Sequence, residues 1–140
     1  MKLQLLRDTQ GATAVELAAT VPLFLLLTFG VIVAGWMMWI EVSLQHAVEM
    51  AARCASADAA AQAAGASPTR CNNTTNIQNF AVTNSYGLNP PASTFTVASP
   101  DPACGKQVSA SYTFNYLTSH FFSAASLTIR AQSCYPSDAG

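Results

Sequence analysis

The chain has 140 residues, of which 51% are hydrophobic and 9% are charged, and its formal net charge is −1. With so few cations there is no basic patch, which argues against nucleic-acid binding. About the first third of the chain is a leader and an apolar segment, so the remainder has room for one small globular domain.

An uncharged segment at residues 17–40 is long enough to span a bilayer, which needs about 20 apolar residues. Trp36 and Trp39 lie near its far end, where amphipathic rings favour the membrane interface. The cations of the leader precede the segment, and the next cation is Arg53. The positive-inside rule therefore predicts a cytoplasmic N-terminus and an exported chain beyond Glu41.

Two simpler interpretations explain less of this region. A secretory signal peptide would have a shorter apolar run ending in small residues, whereas residues 36–40 are large and apolar. A plain signal anchor explains the span and its orientation, but not Gly11 and Glu16. If the chain is cut between Gly11 and Ala12, Glu16 becomes the fifth residue. A carboxylate at the start of a span is costly in hydrocarbon and usually marks a function.

The first helix is predicted to continue past the membrane, from near Ala12 to near Ala64. Residues 41–62 are almost all helix-compatible, and Glu49 and Arg53 have the spacing of a favourable ion pair. A stripe of small residues at helical spacing is expected to receive the globular domain closely, although its alanines also simply favour helix. The stripe is Val48, Ala51, Ala52, Ala55 and Ala59.

Beyond the end of this helix, at Gly65, Ser67 and Pro68, a short second helix is predicted. Thr74 or Thr75 is expected to cap it, and it should run to about Tyr86. Its apolar face is expected to hold Ile77, Phe80 and Ala81. Gly87 and residues 89–91 should end it.

Three strands follow, each with alternating apolar and polar residues. They are predicted at residues 94–98, 108–116 and 127–132, with a turn at 99–102 and a connection at 118–126. An antiparallel meander packed on the long helix would cover the apolar face of both. His120, Phe121 and Phe122 lie in the connection, where the two phenylalanines are expected to join the core, the membrane surface or a subunit contact.

All four cysteines lie beyond the span, which predicts two disulfides in an oxidising compartment. Three pairings are open, and we favour Cys54–Cys71 and Cys104–Cys134. The first would tie the returning chain to the long helix, and the second would join the open end of the hairpin. Zinc is the weaker alternative, because there is no C-x-x-C pair and the histidines do not cluster with the cysteines.

The sequence has no glycine-rich phosphate loop, no nucleophile elbow and no cluster of His, Asp and Glu. Its exported part offers few groups for acid–base or nucleophilic chemistry. We therefore predict no enzyme, no cofactor and no metal site.

Two strings near the N-terminus carry a family resemblance: residues 11–18, GATAVELA, and residues 21–27, VPLFLLL. They resemble the TadE-like family, which comprises minor pilins or pseudopilins of the tight-adherence (Tad, type IVc) pilus system. The similarity extends over roughly residues 11–53. Residues 54–140 carry no diagnostic motif, although a small exported α/β domain suits the family.

The resemblance implies cleavage between Gly11 and Ala12 by a prepilin peptidase, and it makes Glu16 the signature glutamate. The implied partners are a small major pilin, other minor pilins, the assembly platform and ATPase at the inner membrane, and an outer-membrane secretin. The chain is much longer than a typical major pilin of this system, which favours a minor subunit that primes or caps the fibre. In type II secretion pseudopilins the residue after the cut is commonly phenylalanine. This chain has Ala12 there, which disfavours membership of that group.

Glu16 and Pro22 are the candidate assembly residues within the span. In pilin-like assemblies the Glu16 carboxylate can pair with the freed amine of Ala12 in a neighbouring subunit, which would specify register. The alternative is a solvated, inert Glu16 in the headgroup layer. Pro22 removes a backbone donor and is predicted to kink or loosen the helix, which either helps the subunit leave the bilayer or is merely tolerated.

The predicted architecture is α+β and pilin-like. It has a leader at 1–11, a transmembrane helix at 12–40, its periplasmic continuation at 41–66, and a small disulfide-stabilised domain at 67–140. The leading hypothesis is a single-pass inner-membrane subunit of a Tad pilus or related secretion filament that acts in pilus assembly and adhesion. The alternative is a membrane-anchored periplasmic binding or chaperone-like module that never enters a filament.

Overall fold

The computed structural model describes residues 9–67, 70–101, 104–114 and 126–136. The chain divides into two compact units, Met1–Met38 and Trp39–Gly140. The elements form an α+β protein with a long N-terminal helix, a short helix and a three-stranded antiparallel sheet, which confirms the predicted fold class.

Helix α1 spans Thr9–Ala63, close to the predicted bounds. Its C-terminus is closed by two backbone hydrogen bonds, from the Gly65 N–H to the Gln62 carbonyl and from the Ala66 N–H to the Ala61 carbonyl. The φ of Gly65 is 81°, a left-handed value that glycine adopts without a steric cost. This pattern is a Schellman motif, so Gly65 ends the helix as its sequence position predicts.

One face of α1 forms the helical side of the core in the second unit. Its buried side chains there are Ile40, Ser43, Leu44, Ala47, Val48, Ala51, Ala52 and Ala55. The predicted small-residue stripe is therefore buried from Val48 to Ala55, whereas Ala59 is half-buried. Ser43 is satisfied within the helix, because its hydroxyl donates to the Trp39 carbonyl at 2.7 Å.

Helix α2 spans Thr74–Thr83 and packs its predicted face on the core: Ile77 and Ala81 are buried and Phe80 is half-buried. The expected cap at Thr74 or Thr75 is wrong. The side chain of Asn73 caps the helix by accepting from the Asn76 N–H at 2.8 Å. Asparagine is the better N-cap, since its amide oxygen reaches the N–H of the third helical residue.

The second helix is also shorter than predicted. It ends at Thr83 rather than near Tyr86, and Asn84 is the C-cap. Tyr86 and Gly87 have φ values of 46° and 80°, which helix cannot accommodate. A short 3₁₀ turn, Ala92–Thr94, follows and was not predicted.

The sheet has the order β1-β2-β3, with β1 at Phe95–Asp101, β2 at Gly105–Phe114 and β3 at Leu127–Tyr135. Both pairings are antiparallel, so the predicted meander is confirmed. The turn expected at 99–102 is placed too early, because β1 continues to Asp101, which pairs with Gly105. The register shifts between Ala98 and Asp101, and this irregularity accommodates the proline that had suggested a turn.

Alternation along the strands places one face of the sheet on the core. Phe95, Ala110 and Ala131 lie side by side across the three strands and are buried. On the opposite face Thr96 and Ser109 place their hydroxyl oxygens 2.8 Å apart. The predicted end of the second strand beyond Phe114, most of the connection before β3, and His120, Phe121 and Phe122 lie outside the described residues.

Glutamine side chains from the helices reach both edges of the sheet. The Gln78 amide donates to the Phe95 carbonyl of β1 at 2.7 Å, and the Gln45 amide donates to the Gln132 carbonyl of β3 at 3.4 Å. Unpaired groups on an edge strand invite association with other strands. These bonds satisfy one edge carbonyl on each side and fix the sheet to α2 and α1.

Two disulfides join the pairs favoured from the sequence. Cys54 on α1 is bonded to Cys71, with Cα atoms 5.9 Å apart, and Cys104 is bonded to Cys134 across 6.0 Å. The first holds the chain that leaves α1 against the helix. The second joins the residue before β2 to the end of β3, because the antiparallel pairing brings these two points together.

Candidate membrane and assembly segment

The candidate processing residues lie at the start of α1. Gly11 is exposed, and nothing lies within 4 Å of the position that a Cβ would occupy there. Because α1 begins at Thr9, the Gly11–Ala12 peptide bond belongs to the first turn of the helix. N–H groups in a first turn have no intrahelical acceptor, so opening this turn costs little.

Glu16 follows on the same helix with an exposed side chain. Its carbonyl accepts the Thr20 hydroxyl at 2.9 Å, a bond within the helix that leaves the carboxylate unengaged. Within the described part of the chain no cation forms an ion pair with this carboxylate. A partner for the Glu16 charge would therefore have to come from residues outside the described ranges, another chain or the solvent.

Pro22 lies inside α1, one turn beyond Ala18. Proline has no N–H, so the Ala18 carbonyl lacks its helical donor. The helix nevertheless continues through this position. The loosening expected at Pro22 stays a prediction.

The apolar part of α1 is hydrophobic on every side. Large exposed side chains of the first unit surround it: Val15, Leu17, Val21, Leu23, Phe24, Leu25, Leu26, Leu27, Phe29, Val31, Ile32, Trp36 and Met38. By length and composition α1 is able to cross a membrane, and its most apolar window has no part buried within the described structure. A helix apolar all round is typical of a membrane span, and this one fits a membrane-anchored protein.

Residues 11–53 match the family model of TadE-like proteins. The match covers about a third of the chain and confirms the resemblance found in the sequence. That family consists of structural proteins associated with pili. No curated protein and no solved structure matches the chain.

The TadE-like segment contains every candidate assembly residue, namely Gly11, Ala12, Glu16 and Pro22. It also contains Arg53, which forms the predicted ion pair with Glu49. The same guanidinium lies 5.1 Å from the centre of the Tyr135 ring in β3. The end of the TadE-like segment therefore contacts strand β3, which the sequence did not predict.

Just beyond the TadE-like segment, Asp58 holds the loop that returns from α1. Its carboxylate accepts the backbone N–H of Cys71, next to the disulfide from Cys54. The sulfurs and a carboxylate oxygen of this group lie within 4.8 Å of one another. The cysteines are bonded to each other, so they offer no thiolate to a metal. The carboxylate acts as a hydrogen-bond acceptor for the backbone N–H. In the sequence, the position of Asp58 one helical turn after Cys54 places its carboxylate beside that cysteine, and this spacing was the available signal for the contact.

Proposed function

We propose that this chain is a minor pilin or pseudopilin of a Tad-type pilus or a related secretion filament. The observation that carries the proposal is one exposed apolar helix that presents Gly11, Ala12 and Glu16 at its start, inside the TadE-like segment. In this proposal residues 1–11 are a leader, 12–40 the span, 41–66 its periplasmic continuation and 67–140 the exported domain. The role is structural rather than catalytic.

Processing by a prepilin peptidase at Gly11–Ala12 would create a new amine in the first turn of α1. That amine carries a positive charge at neutral pH, because an α-amino group has a pKa of about 8. Glu16 supplies a carboxylate only a turn further along the helix. Within one chain the two groups lie on the same short stretch of helix, and between chains they can join neighbouring subunits.

Pairing between subunits would give Glu16 its function. A carboxylate left unpaired inside an apolar helix bundle costs several kcal/mol, whereas a paired one is tolerated only in the correct register. The apolar side chains around α1 are exposed in the single chain and so are available to lipid or to neighbouring helices. Subunits would thus be aligned by one charge pair and held by apolar packing.

The proposed partners are the prepilin peptidase, the major pilin and other minor pilins, the assembly platform of the inner membrane and the bilayer itself. The proposed location is the bacterial inner membrane, with the N-terminus cytoplasmic and the disulfide-bonded domain periplasmic until the subunit enters an extracellular pilus. Adhesion by the finished fibre belongs to the same proposal. The disulfides support export, because such bonds persist in oxidising compartments.

The test is intact-mass measurement of the membrane form after co-expression with a Tad prepilin peptidase. The expected mature chain begins at Ala12, and a catalytically inactive peptidase should leave the chain uncut. A Gly11→Leu variant is the matched control, since it changes only the exposed residue before the bond. A wild-type chain that keeps Met1 beside the active peptidase, or one that is cut beyond Trp39, would refute the proposal and favour an anchored module outside any filament.

A further inference from the structure

The Cys54–Cys71 disulfide has a negatively charged neighbour. Both sulfurs lie within 4.8 Å of a carboxylate oxygen of Asp58, which follows Cys54 by one turn of α1. The carboxylate also accepts the backbone N–H of Cys71. This hydrogen bond holds the charge in place, because it joins the Asp58 side chain to the loop that carries the second cysteine. All of these groups belong to the second unit, Trp39–Gly140.

The two cysteines of this disulfide differ in their access to solvent. Cys71 is only 4% exposed and belongs to the hydrophobic core, whereas Cys54 is half-buried. A dissolved reagent therefore reaches the Cys54 sulfur more readily than the Cys71 sulfur. Attack at Cys54 makes Cys71 the leaving group, and burial in apolar surroundings disfavours a thiolate there.

Reduction of the disulfide brings negative charge to this place. A thiolate R–S⁻ attacks the Cys54 sulfur and forms a new S–S bond with it, while the bond to Cys71 breaks and Cys71 departs with the electron pair as a thiolate. A second R–S⁻ then releases Cys54, so that the reagent is oxidised to RSSR and both cysteines take protons from water. The attacking charge arrives, and the departing charge forms, beside the Asp58 carboxylate.

We infer that Asp58 protects the Cys54–Cys71 disulfide against attack by thiolates. Like charges repel over a few ångströms, and the repulsion is stronger beside a protein core than in bulk water. The carboxylate opposes both the approach of the anionic reagent and the departure of the Cys71 thiolate. It also occupies the Cys71 N–H, a donor that could otherwise stabilise that thiolate.

Cations near the disulfide reduce this repulsion to different degrees. Arg53 forms an ion pair on its own helix, and Arg70 is exposed, so water and salt screen its charge. Lys106 lines a cavity that also reaches Cys71, and its charge favours a thiolate there. Asp58 is half-buried and bonded to the loop, so its charge acts on the sulfurs at short range. The expected effect is therefore smaller than that of an uncompensated charge.

The rate of disulfide reduction in the full chain tests this role. Asp58→Asn removes the charge and keeps an oxygen that can accept the Cys71 N–H. The matched control is Glu41→Gln, which removes an exposed carboxylate on the same helix about 20 Å before Cys54. Each chain, in uncharged detergent micelles at about 0.15 M salt, is treated with an excess of an anionic thiol, mercaptoethanesulfonate, or a cationic thiol, thiocholine. Alkylation at timed intervals and peptide mapping report the two disulfides separately.

Asp58→Asn is expected to speed the reduction of Cys54–Cys71 by mercaptoethanesulfonate about three- to tenfold. The increase with thiocholine should be smaller, because its ammonium group offsets the charge of its own thiolate. The rate at the other disulfide, and both rates in the Glu41→Gln chain, should stay at the wild-type values. An unchanged rate at Cys54–Cys71, or an equal increase with both thiols, would overturn the inference, since a merely loosened loop would admit either reagent.

The wild-type chain offers a second measurement that needs no substitution. Salt screens the repulsion between Asp58 and an anionic reagent. Raising the salt from about 0.02 M to about 0.5 M should therefore speed the reduction of Cys54–Cys71 by mercaptoethanesulfonate more than that by thiocholine. This comparison decides the outcome if Asp58→Asn unfolds the unit and speeds both disulfides alike. An equal salt dependence for the two thiols would then contradict the protective role of Asp58.

Discussion

Replacing Cys54 and Cys71 together with alanine is expected to destabilise the second unit, Trp39–Gly140, and leave the apolar part of α1 helical. The disulfide joins residues 17 positions apart, and the loop-closure entropy for such a segment corresponds to about 3 kcal/mol. Cys71 is only 4% exposed, so alanine is preferred to serine, whose hydroxyl would be buried without a designed partner. The double substitution removes the covalent link between α1 and the loop before α2, together with the stabilisation that this link provides.

The measurement is thermal unfolding of the full chain in detergent micelles, followed by near-ultraviolet circular dichroism of the tyrosines in the second unit. For a unit of about 100 residues, 1 kcal/mol shifts Tm by about 4–8 °C, so the expected decrease is about 12–24 °C. The matched control replaces Cys104 and Cys134 with alanine. That disulfide closes 30 positions, for which the same entropy corresponds to about 3.6 kcal/mol and a slightly larger decrease.

A decrease below about 4 °C, equivalent to less than about 1 kcal/mol, would refute the reasoning. It would mean that the Asp58 contact and the core hold the loop in place without the covalent bond. Peptide mapping without reductant must first confirm the bonds in the wild-type chain. Linkage of Cys54 to Cys104 or Cys134 would contradict the topology on which the calculation depends.

The remaining predictions address the function, the core and the helix end. Glu16→Ala should leave membrane insertion and protein level unchanged but reduce surface piliation and adherence; wild-type piliation would show that Glu16 is inert. Ala52→Leu should destabilise the unit by about 1–3 kcal/mol in denaturant unfolding, because Ala52 is fully buried, and an unchanged midpoint would contradict the close packing of α1. Gly65→Ala should cost about 1–2 kcal/mol by the same measurement, since φ there is 81°, whereas Gly30→Ala, with open space around it, should cost nothing.

Sequence reasoning succeeded where a local pattern carries the structural information. The apolar run and the alanines after it predict α1, and the period-two alternation from Val108 predicts β2. The disulfide pairing was also accessible, because a helix followed by a returning loop leaves Cys71 close to Cys54. These features depend on residues near one another in the chain or on simple antiparallel geometry.

Errors occurred at element ends, where several signals compete. Threonine at 74 or 75 was a reasonable cap, but Asn73 precedes both and has a better acceptor. Pro100 suggested a turn, yet β1 is an edge strand and tolerates proline beside an irregularity. The sequence predicts α2 to run to about Tyr86, because nothing in the identity of this residue indicates its left-handed backbone.

By itself the sequence determined the long helix, the segment able to cross a membrane, the three strands and the carboxylate five positions beyond Gly11. Helical and strand periodicity, apolar length and charge are all properties of neighbouring residues. Only the tertiary structure decided that Asp58 receives the Cys71 N–H, that His46 stacks on Tyr86, and that β3 meets α1 where Gln132 accepts from Gln45. These contacts join residues far apart in the chain, and they depend on the angle at which the sheet packs on the helix, which no local pattern encodes.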